Sequence, residues 1–461
     1  MSDHPLAEPL RGLRWSAATA AFQIEGARTA GGRGRSIWDD FVETAGRVRD
    51  GSRAEPGPDS FHRYPEDVAL LQRLGVDRYR FSISWVRVQP TGAGGANAEG
   101  LAYYDRLVDE LLAAGVTPFP TLYHWDLPSG IEEAGGWLAR DTAYRFADYA
   151  RLVADALGDR VKDWYTINEP VSTSLQGYAI GELAPGRQLL FESLPTVHHQ
   201  LLGHGLATRA LRERGASTIG IVNNHTDVRA ASESAEDQAA AFAYDVLHNR
   251  IFAEPVLLGR YPDLEAAGLP AMPIEPGDLE IISTPTDVYG VNFYNPTTIA
   301  AAPPESPVPF LNVPTPDAAT TGFGPEWPIV PQALTDLLVD FHQRYGEALP
   351  PIVIAENGAS FPEPDHVSGP LEDRERIDYL RDHIAAVGRA RELGVRIDEY
   401  TVWSLLDNFE WGYGYDRRFG IIRVDYDTLV RTWKDSAHWY RRLAAGEISV
   451  SDLATPVPAP A

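Results

Sequence analysis

Short apolar runs alternate along this chain with longer stretches in which apolar residues return every three or four positions. The short runs are Leu13–Ala17, Arg78–Trp85, Thr117–His124, Trp164–Asn168, Thr218–Asn224, Val288–Tyr294, Ile352–Glu356 and Tyr400–Leu405. Several are nearly continuous in apolar residues rather than alternating, which is the pattern of strands covered on both faces. Between them the spacing predicts helices, beginning near Ser60, ending near Gly115, and running from Asp141 to Gly158 and up to Gly215. Further helical patterns occupy residues 235–252, 331–346, 372–394 and 435–446. Eight strand–helix repeats without a break predict a single α/β domain, a (β/α)8 TIM barrel, over residues 11–445. A doubly wound sheet is the alternative, but it has no need of eight equal repeats. Residues 1–10 and 446–461 read as flexible tails, and Ala301–Pro328 as an insertion lining a site.

Composition narrows the functional classes. The chain has 461 residues, 44% hydrophobic and 23% charged, as in ordinary globular proteins. It has no cysteine, which excludes disulfides and thiolate metal sites and fits a reducing, cytoplasmic setting. The N-terminus lacks the basic and apolar regions of a signal peptide, and no apolar run is long enough to span a membrane. A net charge of −25 repels nucleic acid and anionic membranes but is neutral on the question of an uncharged substrate. Composition leaves open whether the chain is a monomer or a homo-oligomer.

A barrel of this type carries its active site at the C-terminal ends of its strands. There stand Gln23 and Glu25 after the first run, Arg80 in the second, and His124, Trp125 and Asp126 at the end of the third. Asn168 and Glu169 close the fourth, Asn292 and Tyr294 the sixth, and Glu356 and Asn357 the seventh; the eighth runs into Trp403, Asp407, Glu410 and Trp411. Two carboxyl groups on one rim, among tryptophan, asparagine, glutamine and histidine, match a sugar site. Tryptophan offers a flat face to a pyranose ring, and the amides and imidazole discriminate hydroxyl groups. Glycosidic cleavage needs two carboxyl groups, one to protonate the leaving oxygen and one to attack or to activate water; a gap of about 5–5.5 Å gives retention and about 6.5–9.5 Å inversion.

These motifs, in order "FQIEGA", "RFSISW", "HWDLP", "TINEP", "NFY", "IAENG", "WSLLDNFEW" and "RFG", resemble those of glycoside hydrolase family 1, the β-glucosidase family, from about Arg14 to Tyr440. The resemblance implies a retaining β-glycosidase without metal or cofactor, with Glu169 as acid/base and Glu356 as nucleophile. It implies that Gln23, His124, Asn168, Glu410 and Trp411 bind sugar hydroxyls and that Trp403 is the stacking platform. Trp125, Asn292 and Phe419 join the substrate-binding set, Tyr294 and Arg80 hold and ionise the nucleophile, and Trp327 faces the leaving group. Substrates are then β-glucosides or cello-oligosaccharides. Glu410 would repel a 6-phosphate, and Glu169, rather than glutamine, disfavours thioglycosides. Ala355 stands where the family more often has threonine, and Trp433 where proline is more usual. A sugar-binding barrel without activity, or a transglycosidase, are the alternatives.

Electrostatics give the same division of roles: Arg80 beside Glu356 would keep it ionised, and that charge would raise the pKa of Glu169. Other features have plainer readings. His198, His199 and His204 lack the i, i+4 pair of a helical metal site and read as packing residues. Gly92–Gly100 reads as a loop, lacking the strand–helix context of a nucleotide site. Trp38 and its glycine-rich loop are expected at the pocket rim.

Overall fold

The computed structural model describes residues 8–364, 369 and 371–448. Its eight apolar runs close on themselves. Strands β1 (Arg14–Ala18), β2 (Arg78–Ser82), β3 (Thr117–Tyr123), β4 (Asp163–Asn168), β5 (Thr218–Asn224), β6 (Val288–Asn292), β7 (Ile352–Asn357) and β8 (Ile397–Trp403) form a closed barrel in chain order. All of its pairings are parallel, and β1 pairs with β8 to complete the ring. Outside lie α1 (Ser60–Leu74), α2 (Ala98–Ala113), α3 (Asp141–Leu157), α4 (Pro195–Glu213), α5 (Ala235–Asp245), α6 (Pro331–Tyr345), α7 (Arg374–Glu392) and α8 (Asp435–Ala444). Their apolar faces pack on the outer faces of the strands and form the main core.

The barrel interior is filled, not open. Phe119, Tyr165, Val222, Val288, Val353 and Ala355 make an inner apolar cluster, with Phe119 and Tyr165 stacked at 4.1 Å. The Arg80 guanidinium lies 5.6 Å from the centre of the Tyr165 ring. This plug is the floor on which the polar rim stands.

The pairing slips on that rim on both sides of Glu356, the β7–β8 register shifting between Ile354 and Asn357, and beside Glu169. Between β4 and β5 the register shifts between Tyr165 and Asn168, and between β6 and β7 it shifts between Ile354 and Glu356. Bulges of this kind re-aim side chains, and each here sits immediately before a strand-terminal carboxyl group.

Some boundaries differ from the sequence expectation. β2 stops at Ser82, and Trp85 opens a short helix, Trp85–Val88. Leu10, within the segment expected as a tail, is buried, as is Ile448 beyond the expected C-terminal boundary. Residues 1–7 and 449–461, the rest of both expected tails, lie outside the described residues. A hairpin, Thr297–Ala301 with Phe310–Val313, leads into the insertion expected over Ala301–Pro328, and Phe323 and Trp327 in its second half pack against the rim.

Candidate active site

Glu169 follows β4 directly, and its backbone is fixed on both sides. Its N–H donates to the Val222 carbonyl at 2.8 Å, and its own carbonyl accepts from the Ser172 N–H at 3.0 Å. Pro170 then opens a helical turn, a place where its missing N–H costs nothing. Glu169 has φ 44°, Trp125 φ 77° and Trp411 φ 47°. A non-glycine residue held in this region costs on the order of 1–3 kcal/mol, and such strain gathers at working sites.

The two carboxyl groups are tied into one relay. The Arg80 Nη1 donates to Glu356 Oε1 at 2.5 Å, and its Nη2 donates to Asn168 Oδ1 at 2.6 Å. Asn292 Nδ2 donates to the same Asn168 oxygen at 3.1 Å and to Glu169 Oε1 at 2.6 Å. Tyr294 completes the hold on Glu356 by donating its hydroxyl to Oε2 at 2.6 Å. Glu169 receives two further neutral donors, Ser172 Oγ at 2.7 Å and Asn224 Nδ2 at 3.2 Å. Both carboxyl groups are buried.

Their surroundings are unequal. Glu356 faces a guanidinium; Glu169 has only uncharged donors. Burial, and after it the charge of Glu356, pushes the Glu169 carboxyl up to about 7. The sequence expectation named the Glu356 charge as the cause, but desolvation outweighs it. Burial likewise raises Glu410 to about 8, with smaller contributions from Glu356 and Glu169.

His124 is neutral here. Burial, and next Arg80, holds its pKa well below the ordinary imidazole value. Asn168 Oδ1 already accepts two bonds, so its Nδ2 is the donor toward His124 Nε2 at 3.2 Å. The imidazole proton therefore sits on Nδ1, which is buried and without a partner. Gln23 is oriented the same way: Nε2 donates to Asn408 Oδ1 at 3.0 Å and to the Phe409 carbonyl at 2.8 Å, leaving Oε1 unmet. Glu410 Oε2 and Asn292 Oδ1 are also buried and unpartnered. Buried polar atoms normally find partners, so acceptors and a donor left together on one rim are set for a ligand rich in hydroxyl groups.

Aromatic rings wall the site. Trp403 lies parallel to His124 at 5.9 Å and 16°, and Trp411 packs on Trp125 at 4.5 Å. Trp125 Nε1 donates to the Asn168 carbonyl at 3.0 Å. Tyr294, Trp403 and Phe419 cluster with Trp327 and Phe323 on the other side. Trp38 does not line the rim as expected; it is fully buried behind Trp411, at 4.5 Å.

The predicted site residues thus meet at one rim. Three other strand-end carboxylates do not join them. Glu25 is held by Arg87 at 2.8 Å and Tyr104 at 2.7 Å, and Asp407 by Lys434 at 2.8 Å and Arg418 at 2.9 Å. Asp126 is buried, with both oxygens unpartnered, and burial raises it to about 7. Three contributors escaped sequence reasoning: Ser172, Asn224 and Asn408. Asn224 is the last residue of β5, where the strand-end rule applied to the other strands would have found it. The helical histidines are packing residues: His198 bonds Asp278 at 2.8 Å, His199 the Trp137 carbonyl at 2.9 Å, and His204 Thr166 at 2.7 Å. Among the described residues no group of three histidine, cysteine or acidic side chains is placed to hold a metal ion, and no helix is long and apolar enough to cross a membrane.

A closed parallel barrel with a paired-carboxyl, tryptophan-walled rim is a glycoside hydrolase of the (β/α)8 class. Comparison with known proteins narrows the class: residues 10–447 match glycosyl hydrolase family 1, and the chain belongs to that family. Beta-glucosidase A of Acetivibrio thermocellus is 43% identical over 435 residues, which cover 93% of this chain and 96% of that protein. Among solved structures, psychrophilic beta-glucosidase BglU of Micrococcus antarcticus is 46% identical with a TM-score of 0.88, covering 95% of this chain and 97% of its own. The family 1 β-glucosidase of Thermotoga maritima in complex with isofagomine lactam is 38% identical, TM-score 0.88, with 95% and 98% covered.

Proposed function

We propose that this protein is a retaining β-glucosidase that releases terminal non-reducing β-D-glucosyl residues from β-glucosides or cello-oligosaccharides, with Glu356 as nucleophile and Glu169 as acid/base. The asymmetry of partners carries the assignment. Glu356 takes a guanidinium on one oxygen and a phenol hydroxyl on the other, which fix the carboxyl group in place for attack. Glu169, buried among neutral donors, keeps its proton near neutrality and so can give it away.

In the first step the Glu356 carboxylate attacks the anomeric carbon while Glu169 donates its proton to the glycosidic oxygen, and the aglycone leaves as an alcohol. Esterification removes the charge on Glu356, one of the causes that hold Glu169 protonated. Glu169, now an anion with a lowered pKa, takes a proton from water as the oxygen adds to the anomeric carbon. Glucose leaves and Glu356 is again a carboxylate. Gln23 Oε1 and Glu410 Oε2 accept from sugar hydroxyls, His124 Nδ1 donates to one, and Trp403 supports the ring face. The absence of cysteine supports a cytoplasmic location.

The test is a pair of variants. Glu356→Ala is expected to lose at least about 10⁴-fold in kcat. Azide is expected to restore turnover of an activated aryl glucoside, giving the α-glucosyl azide. Glu169→Ala is expected to lose far more on alkyl glucosides than on dinitrophenyl glucoside. A β-azide from the first variant, or equal losses across leaving groups in the second, would overturn the assignment.

A further inference from the structure

Tyr294, which holds Glu356 by its hydroxyl, lies beyond the last pairing of β6 with β7, that of Asn292 with Glu356. Other bonds fix this stretch of main chain. The Phe293 N–H donates to the Glu356 carbonyl at 3.0 Å, and the Phe293 carbonyl accepts from Asn357 Nδ2 at 2.7 Å. The Tyr294 carbonyl accepts from the hydroxyl of Tyr379, on α7, at 2.9 Å. The Tyr379 oxygen accepts from Asn357 Nδ2 at 3.2 Å, and Asn357 Oδ1 accepts from the hydroxyl of Tyr400, on β8, at 2.6 Å. Asn357, Tyr379 and Tyr400 are buried, and the His383 ring stacks on Tyr379 at 3.9 Å and 25°.

The proton directions in this network are forced. A carbonyl can only accept, so the Asn357 amide turns its nitrogen to Phe293 and its oxygen to Tyr400. The second Nδ2 proton goes to Tyr379, whose one hydroxyl proton is then committed to the Tyr294 carbonyl. The bonds close a ring that leaves Glu356 by its main chain and returns to its carboxyl group. It runs through Phe293, Asn357, Tyr379 and Tyr294. Every side-chain donor in it is matched, and a buried network satisfied in this way is rigid. Its outer member is anchored as well, since His383 Nδ1 donates to the Tyr379 carbonyl at 2.8 Å.

We propose that Tyr379 is a positioning residue for the attack of Glu356. It touches neither sugar nor carboxyl group; through the Tyr294 carbonyl and the Asn357 amide it sets where the Tyr294 hydroxyl meets Glu356 Oε2. The proposal rests on the β-glucosidase reading, in which Glu356 is the nucleophile. Misplacing an attacking group by about 1 Å can cost on the order of a hundredfold in rate, so a strut one residue removed from the contact has leverage over the step. The strut also links α7, in the outer helical layer, to the end of β7.

The experiment is a double-mutant cycle on wild type, Tyr379→Phe, Tyr294→Phe and the double variant. It reads kcat/KM for nitrophenyl β-glucoside, which reports the attack, and the inhibition constant of glucose, which reports the sugar pocket. Active sites are titrated with a fluorinated glucoside that traps the glycosyl ester, so folding yield cancels. Tyr379→Phe is expected to lower kcat/KM about tenfold and to leave the glucose constant within about twofold. With Tyr294 already phenylalanine, the same change is expected to cost less than about twofold, because the hydroxyl it positions is gone. A full tenfold loss in both backgrounds, a parallel weakening of glucose binding, or no loss in the single variant overturns the proposal. If Tyr379→Phe does not fold, Tyr400→Phe, which frees the Asn357 oxygen, enters the same cycle with an expected loss of about threefold, and the same outcomes decide. A wild type that does not cleave nitrophenyl β-glucoside would instead overturn the β-glucosidase reading.

Discussion

Glu169 accepts three hydrogen bonds, and none comes from a cation. Its acidity is therefore set by burial and the Glu356 charge, which raise the pKa, against Asn292, Ser172 and Asn224, which lower it. Ser172 is the member of this set that can be removed with least disturbance, since Asn292 and Asn224 remain on the other carboxylate oxygen. A hydroxyl donating to the carboxylate stabilises the anion, so its loss must raise the pKa further. Ser172→Ala is expected to move the alkaline limb of kcat/KM, which falls near 7 if Glu169 governs it, upward by roughly 0.5–1 unit. A limb that stays in place or moves down would show that Ser172 does not tune the acid. Glu169 itself is legible in the sequence because a carboxylate ending an apolar strand breaks the pattern. Ser172 is not, because a serine three residues along a helical turn breaks none.

The elements that carry the site are tied together behind it by buried charge. Arg376, on α7, donates to Asp373 at 2.8 Å and Glu363 at 2.6 Å, and to the carbonyls of Ala359 and, at 3.2 Å, Phe419. Lys434, just before α8, donates to Asp407 at 2.8 Å and also to Glu363. The loop after β7 is thereby fastened to the loop after β8, three residues before Glu410. Breaking one arm of a buried ion network leaves charge without compensation, at a cost of about 3–5 kcal/mol. Lys434→Met is expected to lose about that much in denaturant unfolding and to raise KM for glucosides, since the Glu410 loop loses its anchor. A loss under about 1 kcal/mol would show that Arg418, Arg376 and Arg423 suffice for the two carboxylates. At this scale the eight strands were legible because barrel strands are covered on both sides. Their ends were less so: Trp85 is buried and apolar whether it closes a strand or opens a helix, and the period cannot separate the two. The register slips before Glu169 and Glu356 have no sequence signal, being set by how neighbouring strands pair. The hairpin after β6 was hidden by its short strands and the proline-rich connection between them.

For the molecule as a whole, the site is a source of instability at alkaline pH. Glu410 is raised to about 8 and Glu169 to about 7, whereas in the unfolded chain both return to the ordinary carboxyl range. Below the unfolded value both states hold the proton and neither group affects folding. As pH rises beyond it the unfolded chain releases protons that the folded chain retains, so stability falls until the folded pKa is passed. For Glu410 the loss by pH 8 is on the order of 4 kcal/mol, and for a chain of this length roughly one degree of Tm accompanies each kcal/mol. The general repulsion within a chain of charge −25 also grows with pH, so the trend of the wild type alone cannot identify the cause. Glu410→Gln separates the two, because it keeps the shape and removes the titration. The variant is expected to melt a few degrees above wild type at pH 8 and within about one degree of it at pH 4.5, while losing activity because one carboxyl oxygen becomes an NH2 donor. An equal gain at both pH values, or a loss at pH 8, would mean that Glu410 is ionised in the folded protein and that burial does not hold its proton.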